Sequence, residues 1–251
     1  MSLRDCKIDK SVPIPLYFQL KELLLSQIDQ GDYPVGSMIP TENEISDMFA
    51  ISRTTVRQAI TELVSEGRLY RVKSKGTFVC QPKINQDFMQ ILEPFNDQIR
   101  RLGMEPSSKV LDFQKLKADE AVAEHLQLQK GADVYLLFRE RYADGSPVVT
   151  VKTYIPCTAC PSLMEHDFAV ESLYGVLGRS DESRIHHVKR TVEAVEAAKE
   201  DAVLLGLKAG KPIQFFTSIG YNQDGKPIEY SLARYRGDRN QFEVTVYTRN
   251  E

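Results

Sequence analysis

Apolar positions recur along this chain with two different periods, and the change between them divides it. Up to residue 65 the period is helical. Leu16, Leu20, Leu23, Leu24 and Ile28 share one face and predict a helix from about Leu16 to Gln30, ended by Gly31. Thr41 followed by Glu44 has capping-box spacing, so a second helix should begin there and run to about Phe49, burying Ile45, Met48 and Phe49. Ala50-Ile51 make a turn, and Ser52 can cap the next helix. Val56, Ile60, Leu63 and Val64 then form one apolar stripe, which Gly67 terminates. Beyond it the pattern reads as a basic hairpin, Leu69 to Lys73 out and Gly76 to Val79 back, with Ser74 and Lys75 near the tip. Residues 80 to 92 lose periodicity and read as a linker.

The remainder is a repeat. His125-Leu-Gln-Leu-Gln-Lys-Gly131 parallels Leu204-Leu-Gly-Leu-Lys-Ala-Gly210, and the Asp-Gly turn before Pro147 parallels the one before Pro227. The two glycines closing the first pair lie 79 residues apart and the two prolines 80. Each half reads as short helix, Gly turn, strand, hairpin turn, strand. The strands span 134–143, 148–155, 213–221 and 228–236, with others near 108–116, 185–197 and 242–248. Helices are expected near 93–102, 119–125, 172–177 and 199–205. This is an α+β domain with a mostly antiparallel sheet and an approximate internal two-fold. The expected division is 1–79, a linker at 80–92, and 93–251.

Charge sharpens the first part. The whole chain is −3, yet Ser52 to Lys83 holds seven basic residues against two acidic. Arg53, Thr54, Arg57, Gln58 and Thr61 lie opposite the apolar stripe. Arg53 and Arg57 stand one turn apart, where each guanidinium could fork onto a guanine edge or a phosphate. Thr54 and Thr55 are short enough to reach phosphates at the helix N-terminus. Concentrated positive charge on one unit of an acidic chain is the footprint of nucleic-acid binding. In the second part, Arg139 and Arg141 are two apart on a strand and project from one face. Such a pair suits phosphate or carboxylate, unless it is simply a solvated face partnered by Glu140 and other acids.

The rest of the composition excludes more than it proposes. No apolar run approaches the roughly 18 residues of a membrane span, and the first 15 residues are mixed and charged. A cytoplasmic protein without cofactor or metal is expected. Cys157 and Cys160 have C-x-x-C spacing, but no second pair follows at finger spacing and prolines bracket them, so incidental thiols are expected. His186 and His187 fall on an expected strand, pointing to opposite faces.

Order and residues together resemble the winged helix-turn-helix of the GntR family of bacterial transcription regulators. The matching positions run through Pro15-Leu16-Tyr17, Pro40-Thr41-Glu42, Ser52-Arg53-Thr54-Thr55-Val56-Arg57-Gln58-Ala59 and Gly76-Thr77-Phe78-Val79. The resemblance implies that Arg53 and Arg57 read bases and that Ser52, Thr54 and Thr55 hold the backbone. The wing residues Lys73, Ser74, Lys75, Gly76 and Thr77 would enter the minor groove, and Thr41 and Glu42 would join the DNA-facing set. Two departures stand out: Asn43 where the family usually has arginine, and Ser74 where the wing usually has glycine.

The second part is similar to the UTRA effector-binding domain of the HutC subfamily. The similarity lies in Leu102-Gly103-Met104, Arg139-x-Arg141, Asp144-Gly-x-Pro147, Tyr154-Ile-Pro156, Ser172-Leu-Tyr174 and Pro227-Ile-Glu229-Tyr230-Ser231 with Tyr235-Arg236-Gly-Asp238. It implies a chorismate lyase-like fold whose cleft takes small acidic ligands. Arg139, Arg141, Ser172, Phe95 and Asn96 would line the anion end, with Tyr174, Glu229 and Tyr235 around it. Val151 falls where many members have glutamate. The implied function is a dimeric, ligand-responsive regulator, a repressor in this family's usual manner, that binds double-stranded operator DNA and answers to a small anion such as a sugar phosphate. The rival reading is an enzyme of chorismate lyase-like fold acting on an acidic substrate.

Overall fold

The computed structural model describes residues 3, 6–80, 83–86 and 89–246. The chain divides into two compact units, 1–83 and 84–251.

In the first unit, α1 (Leu16–Asp29), α2 (Glu42–Phe49) and α3 (Arg53–Ser65) precede the hairpin of β1 (Leu69–Val72) and β2 (Gly76–Val79). Thr41 closes a full capping box: its hydroxyl accepts from the Glu44 N–H at 3.3 Å, and the Thr41 N–H donates to the Glu44 carboxylate at 2.7 Å. The α2–α3 turn places Ala50 in the left-handed region at φ 48°, and Ser46 braces it by donating to the Ile51 carbonyl at 2.7 Å. Leu20 and Leu24 of α1, Ile45 of α2, the Val56-Ile60-Leu63 stripe of α3, and Leu69 and Val79 of the hairpin are all buried in one core.

The second unit begins earlier than its periodicity suggests. β3 (Ile84–Gln86) lies inside the stretch expected as linker and pairs in parallel with β10 (Asn240–Phe242). Buried Gln86 and Asn240 hydrogen-bond to each other at 2.8 Å, which ties these two ends of the unit together. Three residues with two polar ones show no readable period, which is why the strand is silent in the sequence. The final strand also differs from expectation: it is 240–242 rather than 242–248, and 247–248 lie outside the described residues.

Between them run α4 (Phe95–Arg101), β4 (Pro106–Lys117), α5 (Glu120–His125), β5 (Asp133–Ala143), β6 (Ser146–Pro156), α6 (Leu173–Leu177), β7 (His187–Glu196), α7 (Lys199–Leu204), β8 (Pro212–Tyr221) and β9 (Pro227–Arg236). Six strands form one antiparallel sheet in the order β4-β5-β6-β9-β8-β7. That order is symmetric about the β6–β9 seam, as the repeat requires. The backbone bonds repeat too. Gly131 N–H donates to the Ala118 carbonyl at 2.9 Å, and Gly210 N–H to the Ala197 carbonyl at 3.0 Å. Both glycines have positive φ, 82° and 77°, the reason glycine recurs there. α5 packs against β9 and α7 against β6. The fold is α+β.

Candidate functional sites: a reading helix and an arginine-lined cavity

On the first unit, the Ser52 hydroxyl accepts from the Thr55 N–H at 3.1 Å and meets Thr55 Oγ1 at 2.8 Å. That cap sets the helix's exit from the turn. With Val56, Ala59, Ile60 and Leu63 buried, Arg53, Thr54, Arg57, Gln58 and Thr61 must face outward, and all five are exposed. Glu42, expected among the DNA-facing residues, is occupied differently. Its Oε1 lies 4.0 Å from Arg57 Nε and 3.3 Å from Arg71 Nη2. Arg71 also donates to Thr61 Oγ1 at 3.1 Å, and Thr61 to the Arg57 carbonyl at 2.6 Å. A carboxylate repels phosphate, so Glu42 has the position of an acid that orients two arginines. Arg71 is a residue the sequence reading missed. Its signal was the two-residue period of β1: Leu69 is buried in the core, so Arg71 shares its side and turns towards α3.

The wing's shape has local causes. Gly76 sits at φ 134°, and a Cβ there would lie 2.8 Å from Met38 Sδ. The Thr77 carbonyl accepts from the Ile39 N–H at 3.0 Å, so Gly76 and Thr77 hold the base of the wing against residues 36–39. The tip, Lys73, Ser74 and Lys75, is exposed, and Ser74 takes φ 61°.

On the second unit, α4 and α6 stand over one face of the sheet and enclose a cavity of about 100 Å³. Phe95, Arg139, Arg141, Val151, Ser172, Tyr174, Glu229 and Tyr235 all line it, as expected. Asn96 does not. It follows Phe95 on α4, where one residue of helix turns a side chain about 100° away, and the lining passes instead from Phe95 to Gln98. Thr153, Arg190, Phe216, Ser218 and Ser231 also line the cavity and were not anticipated. They follow from strand register: Thr153 pairs with Ser231, Ser231 with Ser218, and Ser218 with Arg190 in one row across the sheet. Register between distant strands is invisible in a single sequence.

The arginine pair is no solvated face. Arg139 is 3% exposed. Among the described residues, Nε and Nη1 of Arg139 and Nε of Arg141 have no hydrogen-bond partner. Arg141 lies 4.7 Å from the Phe95 ring centre and Arg139 5.9 Å from that of Phe168. Burial first, and the Arg141 charge next, hold Arg139 well below the usual guanidinium range; Glu229 opposes this. Burial also lowers Arg141. Opposite them, Tyr174 donates to Glu229 Oε2 at 2.7 Å, and Arg190 to Ser218 Oγ at 3.3 Å. Burial pushes Tyr174 well up and Tyr235 up to about 12, so both phenols are neutral donors. The Ser172 hydroxyl accepts from the Gly175 N–H at 3.2 Å and caps α6 at the cavity's rim. The arrangement presents fixed donors and two buried guanidiniums, offset in part by Glu229, to a small anion.

Two other groups need placing. His186 precedes β7 rather than alternating within it, so the two histidines do not point apart: their Nδ1 atoms lie 3.5 Å from each other, and His187 stacks on Tyr221. Cys157 and Cys160 are free and partly buried, and burial raises the Cys157 thiol. Among the described residues, no three or more His, Cys, Asp or Glu gather to hold a metal. No helix among them is long and apolar enough to cross a membrane.

Residues 16–79 match the bacterial regulatory proteins of the gntR family, and residues 101–241 match the UTRA domain. The chain belongs to the GntR family. HTH-type transcriptional repressor NagR of Bacillus subtilis (strain 168) is 35% identical over 235 residues, 94% of this chain and 96% of that protein. The mannosyl-D-glycerate transport/metabolism system repressor MngR of Escherichia coli (strain K12) is 29% identical over 228 residues, 91% of this chain and 94% of the relative. The crystal structure of PhnF from Mycobacterium smegmatis superposes with a TM-score of 0.71 at 29% identity, covering 91% of this chain and 99% of that one. The winged unit and the UTRA unit thus form a GntR regulator of HutC type, a ligand-responsive DNA-binding transcriptional repressor. Membership sets aside the enzyme reading, since the family consists of regulators.

Proposed function

We propose that this repressor works in the cytoplasm as a homodimer on a pseudo-palindromic operator, and that a small anionic metabolite of the sugar-phosphate class controls it from the UTRA cavity. In this reading Arg53 and Arg57 contact base edges, Ser52, Thr54 and Thr55 contact phosphates, and the Lys73–Thr77 wing tip follows the minor groove. The effector's anionic group sits between Arg139 and Arg141, beside Ser172 and under Phe95. Its polar body faces Glu229, Tyr174 and Tyr235.

The observation that carries the reading is the set of buried guanidinium N–H groups on Arg139 and Arg141 that have no partner among the described residues. Buried guanidinium N–H groups left without partners are costly, and an anion bridging the two arginines would relieve that cost. MngR supports a sugar-derived acid by its name, which ties it to mannosyl-D-glycerate. Effector binding acts on DNA through the population of dimer arrangements that match the half-site spacing, and a coupling of about 1–3 kcal/mol is typical.

The test is calorimetric titration of the full chain with a panel of sugar phosphates and with inorganic phosphate, alongside operator binding with and without each compound. A sugar phosphate should bind, be lost in Arg139→Met, and weaken operator binding. If no phosphorylated or carboxylated sugar binds, or binding survives Arg139→Met intact, the cavity reading is wrong.

A further inference from the structure

The face of the sheet turned away from the arginine cavity carries α5 and α7, which the internal repeat makes equivalent. The repeat sets His125 against Leu204, Tyr154 against Arg234 and Tyr230 against Thr150, at offsets of 79 in the helices and 80 in the strands. In the first half those positions hold three rings. His125 stacks on Tyr230 at 4.4 Å and Tyr230 on Tyr154 at 5.9 Å, and Tyr230 is buried in the core beneath α5. The second half has none of the three rings, and a cavity of about 120 Å³ opens between α7 and the sheet.

The substitutions that empty the space also charge it. Lys152 is the counterpart of Leu232, and Arg234 that of Tyr154. Thr150 pairs with Arg234 and Lys152 with Leu232 across the β6–β9 seam, so both cations project from one face of adjacent strands. Each lies over a ring: Lys152 Nζ is 4.7 Å from the centre of Phe138, and the Arg234 guanidinium 4.6 Å from that of Phe215. Their partners differ. Arg234 reaches Asp201 at 3.4 Å, and the same carboxylate oxygen accepts from the Ala198 N–H at 2.9 Å. Among the described residues no carboxylate pairs with Lys152. Glu200 lies on the exposed rim. The floor is Thr150, 3% exposed, with Leu232, and Leu204 of α7 faces them.

We propose that this cavity is a second ligand site, for a small aromatic monocarboxylate. The missing packing is a set of rings, so a planar ring between Leu204 and Leu232 restores what the first half builds from its own side chains. The carboxylate goes to Lys152, the cation without an acid. It takes a second bond from Arg234, whose guanidinium has donors beyond the one turned to Asp201. Charge limits the class. Two cations and one engaged aspartate leave room for a single negative charge, and Glu200 at the rim disfavours a second.

This site and the arginine cavity lie back to back. Val151 and Thr153 line the arginine cavity and alternate along β6 with Thr150 and Lys152; Ser231 and Ala233 alternate along β9 with Leu232 and Arg234. A period of two sends the two sets to opposite faces. The sheet therefore separates the ligands, and neither reaches the other's cations. The inference stands whether or not a sugar phosphate occupies the arginine cavity.

The experiment is a titration of the full chain with benzoate, followed by saturation-transfer NMR, with benzamide as the uncharged analogue. Wild type should bind benzoate saturably, and benzamide at least about tenfold more weakly. Lys152→Met keeps most of the stem and removes the charge; it should weaken benzoate at least about tenfold. Thr150→Tyr puts back a ring that the first half has, and should abolish binding while the melting temperature holds or rises. Arg139→Met, in the other cavity, should leave the affinity within about twofold. If Thr150→Tyr fails to fold, Lys152→Met and benzamide decide. Absence of saturable binding by wild type overturns the site, as does binding retained by a folded Thr150→Tyr. Equal affinity for benzamide overturns the carboxylate class. Binding that survives Lys152→Met also overturns the site, and its loss in Arg139→Met would place benzoate in the arginine cavity instead.

Discussion

In the reading proposed above, two sets of arginines in this molecule meet anions, and they are built in opposite ways. On α3, Arg57 has a side chain 72% exposed, kept within reach of a single carboxylate at 4.0 Å. In the cavity, Arg139 is 3% exposed, and among the described residues two of its nitrogens have no hydrogen-bond partner. The difference follows from the ligand. DNA arrives as a large polyanion whose condensed counterions are released on binding, so its partners can wait in water at no cost to the fold. A small metabolite offers one or two charges and few atoms. Its site must therefore be desolvated and fixed beforehand, and the folded protein carries that strain until the ligand arrives. On that reading regulation uses this asymmetry: the surface that meets DNA is stable by itself, whereas the cavity should gain stability when filled.

The comparison breaks most visibly at Arg139. Replacing it with Met fills the same space without a buried charge and leaves Glu229 held by Tyr174. The unliganded protein should gain about 1–4 kcal/mol of stability while losing its response to effector. Thermal unfolding with and without ligand reads both, and a variant less stable than wild type would show that the charge is already neutralised in the empty cavity. At Arg57 or Arg53 the signs should reverse. Alanine there should move stability by no more than about 0.5 kcal/mol and cost about 1–3 kcal/mol of specific operator binding. Unchanged operator affinity in both variants would remove α3 from the role of reader.

How far each site was legible in the sequence follows the same division. The reading face was fully visible, because capping, stripe and turn are local: Thr41 with Glu44, Ser52, and Val56 to Leu63 fix which side of α3 faces out. The hairpins of the second unit were legible for the same reason, and their repeat gave the symmetry of the sheet. The cavity was legible only in part. Arg139 and Arg141 announce themselves as an alternating pair on β5. Arg190, Ser218 and Ser231 become neighbours only through pairing across β9, β8 and β7, which no local pattern encodes. β3 escaped because its buried glutamine donates to Asn240, a residue more than 150 positions away. Asn96 was misplaced, and the contacts of Glu42 with Arg57 and Arg71 went unseen, for another reason: family likeness gives the position of a side chain and not what it touches.

Glu42 offers a finer test of the exposed set. If it orients Arg57 and Arg71, Glu42→Gln should loosen both without exposing any core. Removing an acid beside the DNA should strengthen binding to random sequence, while the preference for operator over random DNA narrows by about 1 kcal/mol. Competition binding at fixed salt separates the two quantities. A preference that survives unchanged would make Glu42 a bystander.

The smallest effect is expected at the wing tip, and it separates fold from function most cleanly. Ser74 holds φ 61°, a conformation that costs an L-residue about 1 kcal/mol and costs glycine nothing. Ser74→Gly removes that strain but adds freedom to the unfolded chain, worth somewhat less than the strain. The net should be a gain of about 0.5 kcal/mol, readable as a small rise in the denaturant midpoint. Its effect on DNA is the sharper question. If Ser74 is only a strained linker between Lys73 and Lys75, operator affinity should stay the same or rise, since a glycine backbone can approach the minor groove more closely. If affinity falls, the hydroxyl itself touches the duplex, and the strain at φ 61° is retained for that contact.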